Sequence, residues 1–477
     1  MELATSERMS LPRHAAGYAL LIVVATGALL AICWAGERLA HREPIAAASA
    51  TVAKTDTAAA PARPVVGWPT PLAQLLVTLV AVIVVGRGLG ALLQRVGQPA
   101  VIGEIAAGIV LGPSMLGRVW PAATDMLLSP AIVPALAAVA QLGVVLYMFV
   151  VGLELSGTAL ARRGQTAIAV SHASIIAPFL LAALVALLIY PEFAGPGISF
   201  TAFALFLGVA MSVTAFPVLA RILKDQKLDS TPLGLMALAA AAVDDATAWC
   251  LLALAVSVAQ AEPSRAAVTV ALTVVFVLIM LLVVRPAFRR TIVRTPEQAL
   301  TARGMGAISI GLLVSALATE AIGLHAVFGA FLFGAILPHD SRLSRDLVLR
   351  IEDLAAVILL PAYFALTGMR TEIALVHTPE QWLICGLLLV VAVVGKVGGT
   401  LLAARVTGAS WRSAAALGAL MNTRGLMGLI VLNIGLDLGI VSPTLFAMMV
   451  LIALATTLMA APALAALRIG GNQLGEG

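Results

Sequence analysis

Charge is what this sequence has little of: Asp, Glu, Lys and Arg make up 11% of its 477 residues, and the mean hydropathy is +1.05. Soluble domains are about a quarter charged, so an ordinary water-soluble fold is excluded. Cysteine is nearly missing too. Cys33, Cys250 and Cys385 each lie alone in an apolar stretch, which excludes a disulfide framework and a thiolate metal site. The 29 Lys and Arg exceed the 24 Asp and Glu but form no continuous patch, so no nucleic-acid partner is expected. The chain also lacks a phosphate-binding Gly-x4-Gly-Lys-Ser/Thr loop, a Gly-x-Ser-x-Gly elbow and a His-Glu-x-x-His helix. No cofactor and no catalytic constellation is expected.

What is present is a series of apolar runs, each long enough to cross a hydrocarbon core of roughly 30 Å. A leader segment, Gly17 to Ala35, follows Arg8 and Arg13, and residues 1–36 read as a leader helix or signal peptide. Residues 37–70, rich in Ala, Thr and Pro, read as a disordered extracytoplasmic linker. Thirteen core spans are expected within 71–466: 71–95, 100–117, 131–155, 166–190, 200–222, 234–259, 266–288, 304–322, 324–338, 351–369, 382–404, 413–435 and 443–466. Residues 467–477 form a short tail, so no cytosolic nucleotide-binding domain is expected in this chain.

Loops after odd-numbered spans hold 17 Lys and Arg, and those after even-numbered spans hold only Arg118, Arg265 and Arg370. By the positive-inside rule the core starts outside and ends in the cytoplasm. Spans seven apart also resemble each other. Tyr147, Gly152 and Glu154 align with Tyr363, Gly368 and Arg370, while Leu207, Gly208, Met211 and Ser212 align with Leu417, Gly418, Met421 and Asn422. An odd offset reverses direction through the bilayer, which predicts inverted-topology repeats.

Ionisable residues at bilayer depth cost at least about 2.5–3.5 kcal/mol each, so they are functional candidates. Asp244 and Asp245 stand together in span 6. Two adjacent carboxylates suit a small cation that needs oxygen ligands, and they suit protons, since neighbouring like charges titrate separately. Proton and cation would compete for one site. Lys396, among Gly395, Gly398 and Gly399 in span 11, is the expected counter-charge, the glycines allowing close helix approach. Spans 5 and 12 carry breaker patterns: Ser212 and Thr214 precede Pro217, and Asn422, Thr423 and Arg424 precede Gly425. Helices broken at corresponding repeat positions point to a binding site there, although a proline kink accounts for span 5 taken alone. Arg424 is expected to neutralise an exposed helix end or to pair with a buried acid. Glu104 and Glu154 are weaker candidates, and His172 and His325 read as packing or hydrogen-bonding residues.

Five stretches together resemble the monovalent cation:proton antiporter-2 family: Gly103 to Ser114 (GEIAAGIVLGPS), Gly152 to Ser156 (GLELS), Asp244-Asp245, His325 to Gly334 (HAVFGAFLFG) and Met421 to Gly428 (MNTRGLMG). The family includes electrogenic sodium/proton antiporters, Kef-type potassium/proton exchangers and plant cation/proton exchangers. The resemblance implies an all-α polytopic homodimer in a bacterial cytoplasmic membrane, with 13 core helices, two of them broken and crossing, and a bundle that moves like an elevator. It implies a transporter rather than an enzyme, acting in cation and pH homeostasis. By position, Asp245 would bind the transported ion or proton, Asp244 would pair with Lys396, and Ser212 and Thr214 would lie at the crossover. The Asp-Asp pair with Lys396 is similar to the electrogenic sodium/proton group, and Met-Asn-Thr-Arg-Gly is closer to plant-type exchangers that carry potassium. The expected function is Na+ or K+ exchange for H+. Alternatives are an electroneutral exchanger, a passive cation channel and an organic-cation exporter. An intramembrane aspartyl protease is disfavoured because adjacent acids on one helix point about 100° apart.

Overall fold

The computed structural model describes residues 3–40, 70–154, 157–259, 263–291, 302–337, 342–467 and 469. They form an all-helical fold in which the β-type pairing among the described residues is one bridge between Ala194 and Val441. The helices are α1 (Leu3–Ala40), α2 (Pro71–Arg95), α3 (Ala100–Leu111), α4 (Leu116–Val119), α5 (Pro121–Leu127), α6 (Val133–Glu154) and α7 (Gly157–Phe193). Then come α8 (Phe200–Ser212), α9 (Phe216–Asp225), α10 (Pro232–Ala259) and α11 (Pro263–Ile279), which widens through a π turn into α12 (Arg285–Thr291). After α13 (Ala302–Ile322) and α14 (Ala326–Ile336), α15 (Arg342–Leu354) runs through a second π turn into α16 (Leu360–Met369). The last four are α17 (Pro379–Val406), α18 (Trp411–Met421), α19 (Leu426–Asp437) and α20 (Pro443–Ala466).

Local sequence sets where many of these begin. Thr70, Ser199, Ser410 and Ser442 each accept a backbone N–H in the first turn of α2, α8, α18 and α20, and Thr378 with Gln381 closes a capping box on α17. Among the described residues, ten helices are long and apolar enough to cross a membrane, and eleven if α18 and α19, bent by 42°, count as one span. This is a multi-pass membrane protein. A hydropathy window does not see breaks: the expected span 200–222 is two half-helices, and 324–338 holds only the 11 residues of α14. Helix α1 runs on through Ala40, past the expected boundary at 36, because Glu37 finds partners on α8. The rest of the expected linker, 41–69, lies outside the described residues, as do 468 and 470–477 of the tail.

Two bundles result. In one, α3 packs on α2 and α16, and α6 packs on α14 and α16, with α13 against α14. Bare backbone makes these crossings close: a Cβ at Gly108 would lie 2.1 Å from Ala365 O, and one at Gly334 would lie 2.2 Å from Phe149 O. In the other, α7 packs on α8, α10 and α17, while α18, α19 and α20 close around them. The bundles meet along few elements, mainly α20 against the Ile373–Leu375 turn and α3, and α16 against α19.

Candidate functional site

The site lies inside the second bundle, where two helices break. After Ser212 the chain is extended through Val213 and Ala215 before α9 begins, so span 5 is interrupted rather than kinked. After Met421 it passes Asn422, Thr423, Arg424 and an extended Gly425 before α19. The two extended stretches cross and are tied by Ala215 N–H to Thr423 O at 3.1 Å and Thr214 Oγ1 to Met421 O at 3.0 Å.

A broken helix exposes carbonyls that carry partial negative charge and need partners. Val213 N–H takes the Val209 carbonyl, leaving those of Ala210, Met211 and Ser212 at the end of α8. Two cations take all three. Arg424 donates from Nη1 to Ala210 O at 2.9 Å and from Nη2 to Met211 O at 2.5 Å, and Lys396 Nζ donates to Ser212 O. The end of α18 is served by hydroxyls instead, Thr214 on Met421 O and Thr423 on Leu420 O. Ser212 Oγ donates to Ile175 O at 3.0 Å and Gly208 O at 2.6 Å.

The two acids have opposite surroundings. Asp244 Oδ2 accepts from Thr214 N–H at 2.8 Å and Lys396 Nζ at 3.0 Å, and its Oδ1 accepts from Ser174 Oγ at 3.3 Å. Lys396 and Asp244 are fully buried. Asp245, 1% exposed on the same helix, has no hydrogen-bond partner for either carboxylate oxygen among the described residues. Nearly every buried polar group in a folded protein is paired, and a bare carboxylate in a low-dielectric interior is far costlier than a bare amide. Such a group is suited to take up a proton or a small cation. Asn422 Oδ1, in the crossover, is likewise buried and unpartnered.

The weaker candidates fall elsewhere. Glu104 is half-buried on α3 in the other bundle, where the charges of Arg221 on α9 and Arg87 on α2 act on it. Glu154 ends α6, and its side chain lies outside the described residues. His325 accepts Val327 N–H at the start of α14, and His172 Nδ1 lies 2.9 Å from Ile168 O. Sequence reasoning missed Ser174, which touches Asp244, and Thr457, whose hydroxyl takes Arg424 N–H at 3.0 Å. Their signal was only a hydroxyl in mid-span. It also missed a polar tie between the bundles. Arg370, which caps the C-terminus of α16, reaches Asp437 at 3.0 Å and Asn433 at 3.1 Å, both on α19, and Asn433 donates to Thr367 Oγ1 at 3.0 Å.

The chain is similar to several known proteins. The model of the transmembrane sodium/hydrogen exchanger family matches residues 72–467. The chain is 41% identical to the Na+/H+ antiporter NhaS4 of Synechocystis over 81% of its own length and 95% of the relative's. It is 40% identical to cation/H+ antiporter 20 of Arabidopsis thaliana over 82% of its own length, and 33% identical to K+/H+ antiporter 1 of Saccharomyces cerevisiae over 76%. It spans only 48% and 43% of those two relatives. Among solved structures, the sodium proton antiporter MjNhaP1 of Methanocaldococcus jannaschii superposes with a TM-score of 0.64 over 83% of this chain and 98% of that one. At 13% identity this likeness speaks to the fold alone.

Proposed function

The chain belongs to the sodium/hydrogen exchanger family, and from that premise we propose that it exchanges a monovalent cation, Na+ or K+, for protons at Asp245. The observation that carries the reading is the contrast between the neighbouring acids: Asp244 is saturated by Lys396, Thr214 and Ser174, and Asp245 is buried without a partner. One occupant at a time, H+ or cation, satisfies Asp245. Ser212, Thr214 and Asn422 supply the surrounding oxygen-rich crossover, while Lys396 and Arg424 hold the end of α8.

In our reading the protein is a transporter of 13 core spans with inverted repeats, in which α8–α9 and α18–α19 are the corresponding broken pair. The site bundle slides against the other as in an elevator, and the exchange is electrogenic. The thin contact between the bundles supports this, as does the Arg370–Asp437–Asn433 tie, which closes one end of the interface. By loop charge that end faces outside, and the C-terminus faces the cytoplasm of a bacterial inner membrane. A homodimer, formed through the other bundle, follows the family resemblance.

The test is proton flux in proteoliposomes offered Na+, Li+, K+ and Rb+ in turn, with Asp245→Asn as control and the potential clamped or free. Cation-dependent proton movement that the variant loses is expected. Flux that survives in Asp245→Asn would sink the carboxylate mechanism, and uncoupled cation leak would point to a channel.

A further inference from the structure

We propose that α1 is a retained membrane-spanning helix that docks on the ion-binding bundle and travels with it, and that Glu37 positions the half-helix α8. The docking stands on its own geometry; the travelling rests on the bundle movement proposed above.

Residues Leu21–Ala40 of α1 are apolar enough to span a membrane, and they precede the family-matched region that starts at residue 72. The helix is not a loose leader. It packs on α7 and α8, both in the ion-binding bundle, with Cys33 and Gly36 buried and Leu29 and Ile32 against the core. At Gly36 a Cβ would lie 2.1 Å from Phe200 Cε1, so the phenylalanine ring sits directly on the helix backbone. That ring is held from behind by Tyr190, edge-on at 5.4 Å, whose hydroxyl donates to Ile198 O at 2.7 Å. The receiving surface is thus shaped by α7 and α8 themselves.

Glu37 adds a polar lock. Its Oε1 accepts both the N–H of Thr201 at 2.9 Å and the Thr201 hydroxyl at 2.8 Å. Thr201 is the second residue of α8, so this N–H has no partner inside its own helix, and a carboxylate suits the positive end. The other face of α1 turns Leu21, Val24, Leu30 and Trp34 outward, and Arg38 lies 3.6 Å over the Trp34 ring, a pairing suited to the membrane interface. Charge gives the same orientation by a separate route. Arg8 and Arg13 set the start of α1 in the cytoplasm and Glu37 outside, and the loop charges set the start of α8 outside too.

A half-helix of 13 residues cannot anchor itself across the bilayer. Lys396 and Arg424 grip the inner end of α8, and α1 grips the outer end, so the axial position of α8, and with it Ser212 and Thr214 against Asp244, depends on both.

The test uses the full chain. Intact mass of the purified protein is expected to include residues 1–36. Cys33 lies beside the Thr201 side chain, so in a Cys250→Ser, Cys385→Ser background Thr201→Cys is expected to cross-link to Cys33 within one chain, with no doubling of mass. The cross-linked protein is expected to exchange cations for protons within two-fold of the uncross-linked rate. Glu37→Ala is expected to raise the half-saturating cation concentration several-fold with little change in maximal rate, and Glu37→Gln to restore most of it. Loss of the leader, no cross-link, or a cross-link between two chains would overturn the docking whether or not transport is seen. A formed cross-link that stops flux would overturn the travelling alone, and a Glu37→Ala protein with unchanged half-saturation would overturn the positioning role.

Discussion

Three glycines surround Lys396 on α17, and they are not equivalent. A Cβ at Gly399 would lie 2.5 Å from Ala173 O, one at Gly395 would lie 2.6 Å from Pro178 Cα, and one at Gly398 would meet nothing within 4 Å. Carbon-to-carbonyl contacts run about 3.3 Å or more, so Gly399→Ala has to part α17 from α7 by about 1 Å. Lys396, three residues away, reaches Asp244 at 3.0 Å, and a shift of that size takes the contact beyond hydrogen-bond range. Overpacking costs about 1–3 kcal/mol and losing a charged hydrogen bond about 1.5–3 kcal/mol, offset by roughly 1 kcal/mol of helix propensity gained over glycine. The expected net loss is about 1.5–5 kcal/mol. Gly398→Ala keeps only the gain of roughly 1 kcal/mol. The assay is the apparent melting temperature in detergent, from the monodisperse gel-filtration peak left after heating, beside proton flux at saturating cation. A Gly399→Ala protein that melts at or above Gly398→Ala and transports normally would refute the reasoning.

Arg424→Gln leaves the carbonyls of Ala210 and Met211 without a cation and is expected to lose about 1.5–3 kcal/mol, with Arg424→Lys recovering part; melting temperatures in the order wild type, Lys, Gln check it. The Arg370–Asp437 pair is partly exposed, at 29% and 56%, so Asp437→Asn is expected to change stability by less than about 1 kcal/mol. Thiol labelling of Thr367→Cys from the outer side is nevertheless expected to rise, as the tie between bundles loosens; unchanged labelling rejects the tie. If proton and cation compete for Asp245, the half-saturating cation concentration rises as pH falls, approaching about tenfold per unit at the competitive limit. A pH-independent value measured by flux titration rejects a shared site.

The acids, Lys396 and Arg424 were legible in the sequence because a charge within an apolar run is expensive and therefore stands out. The breaks were legible because Pro217 and Gly425 follow clusters of hydroxyl and amide side chains. Which atoms meet was not. The shortest bond to Asp244 comes from the Thr214 backbone, a donor freed by the break itself, and no side-chain pattern announces it. Ser174 and Thr457 were hidden because mid-helix hydroxyls ordinarily bond the preceding turn, as Thr456 does with Ile452 O. Arg370 and Asp437 lie 67 residues apart at the ends of two spans, and nothing in the local sequence pairs them. Glu37 read as the start of a polar linker, since its partner lies 164 residues away.

The charge balance at the crossover bears on whether exchange moves net charge. Asp244 and Asp245 oppose Lys396 and Arg424, so the unoccupied site is formally neutral, and loading Asp245 with a proton or with Na+ or K+ gives the same single positive charge. A cycle in which only Asp245 changes occupant therefore exchanges one for one and carries no current. Electrogenic exchange needs a second group to change protonation. Arginine does not give up its proton, and Arg424 holds two carbonyls of α8; Lys396, bonded to Asp244 and Ser212 O, is the remaining cation. Lys396→Met alone strands Asp244 and is expected to cost about 3–5 kcal/mol, whereas Lys396→Met with Asp244→Asn removes both charges and is expected to recover most of that. The double variant keeps Asp245 and should still exchange; if the wild-type exchange is electrogenic, the variant loses a drive of about 2.3 kcal/mol per charge per 100 mV. Flux recorded at clamped potentials decides: a double variant that still responds to voltage would move the second charge away from Lys396.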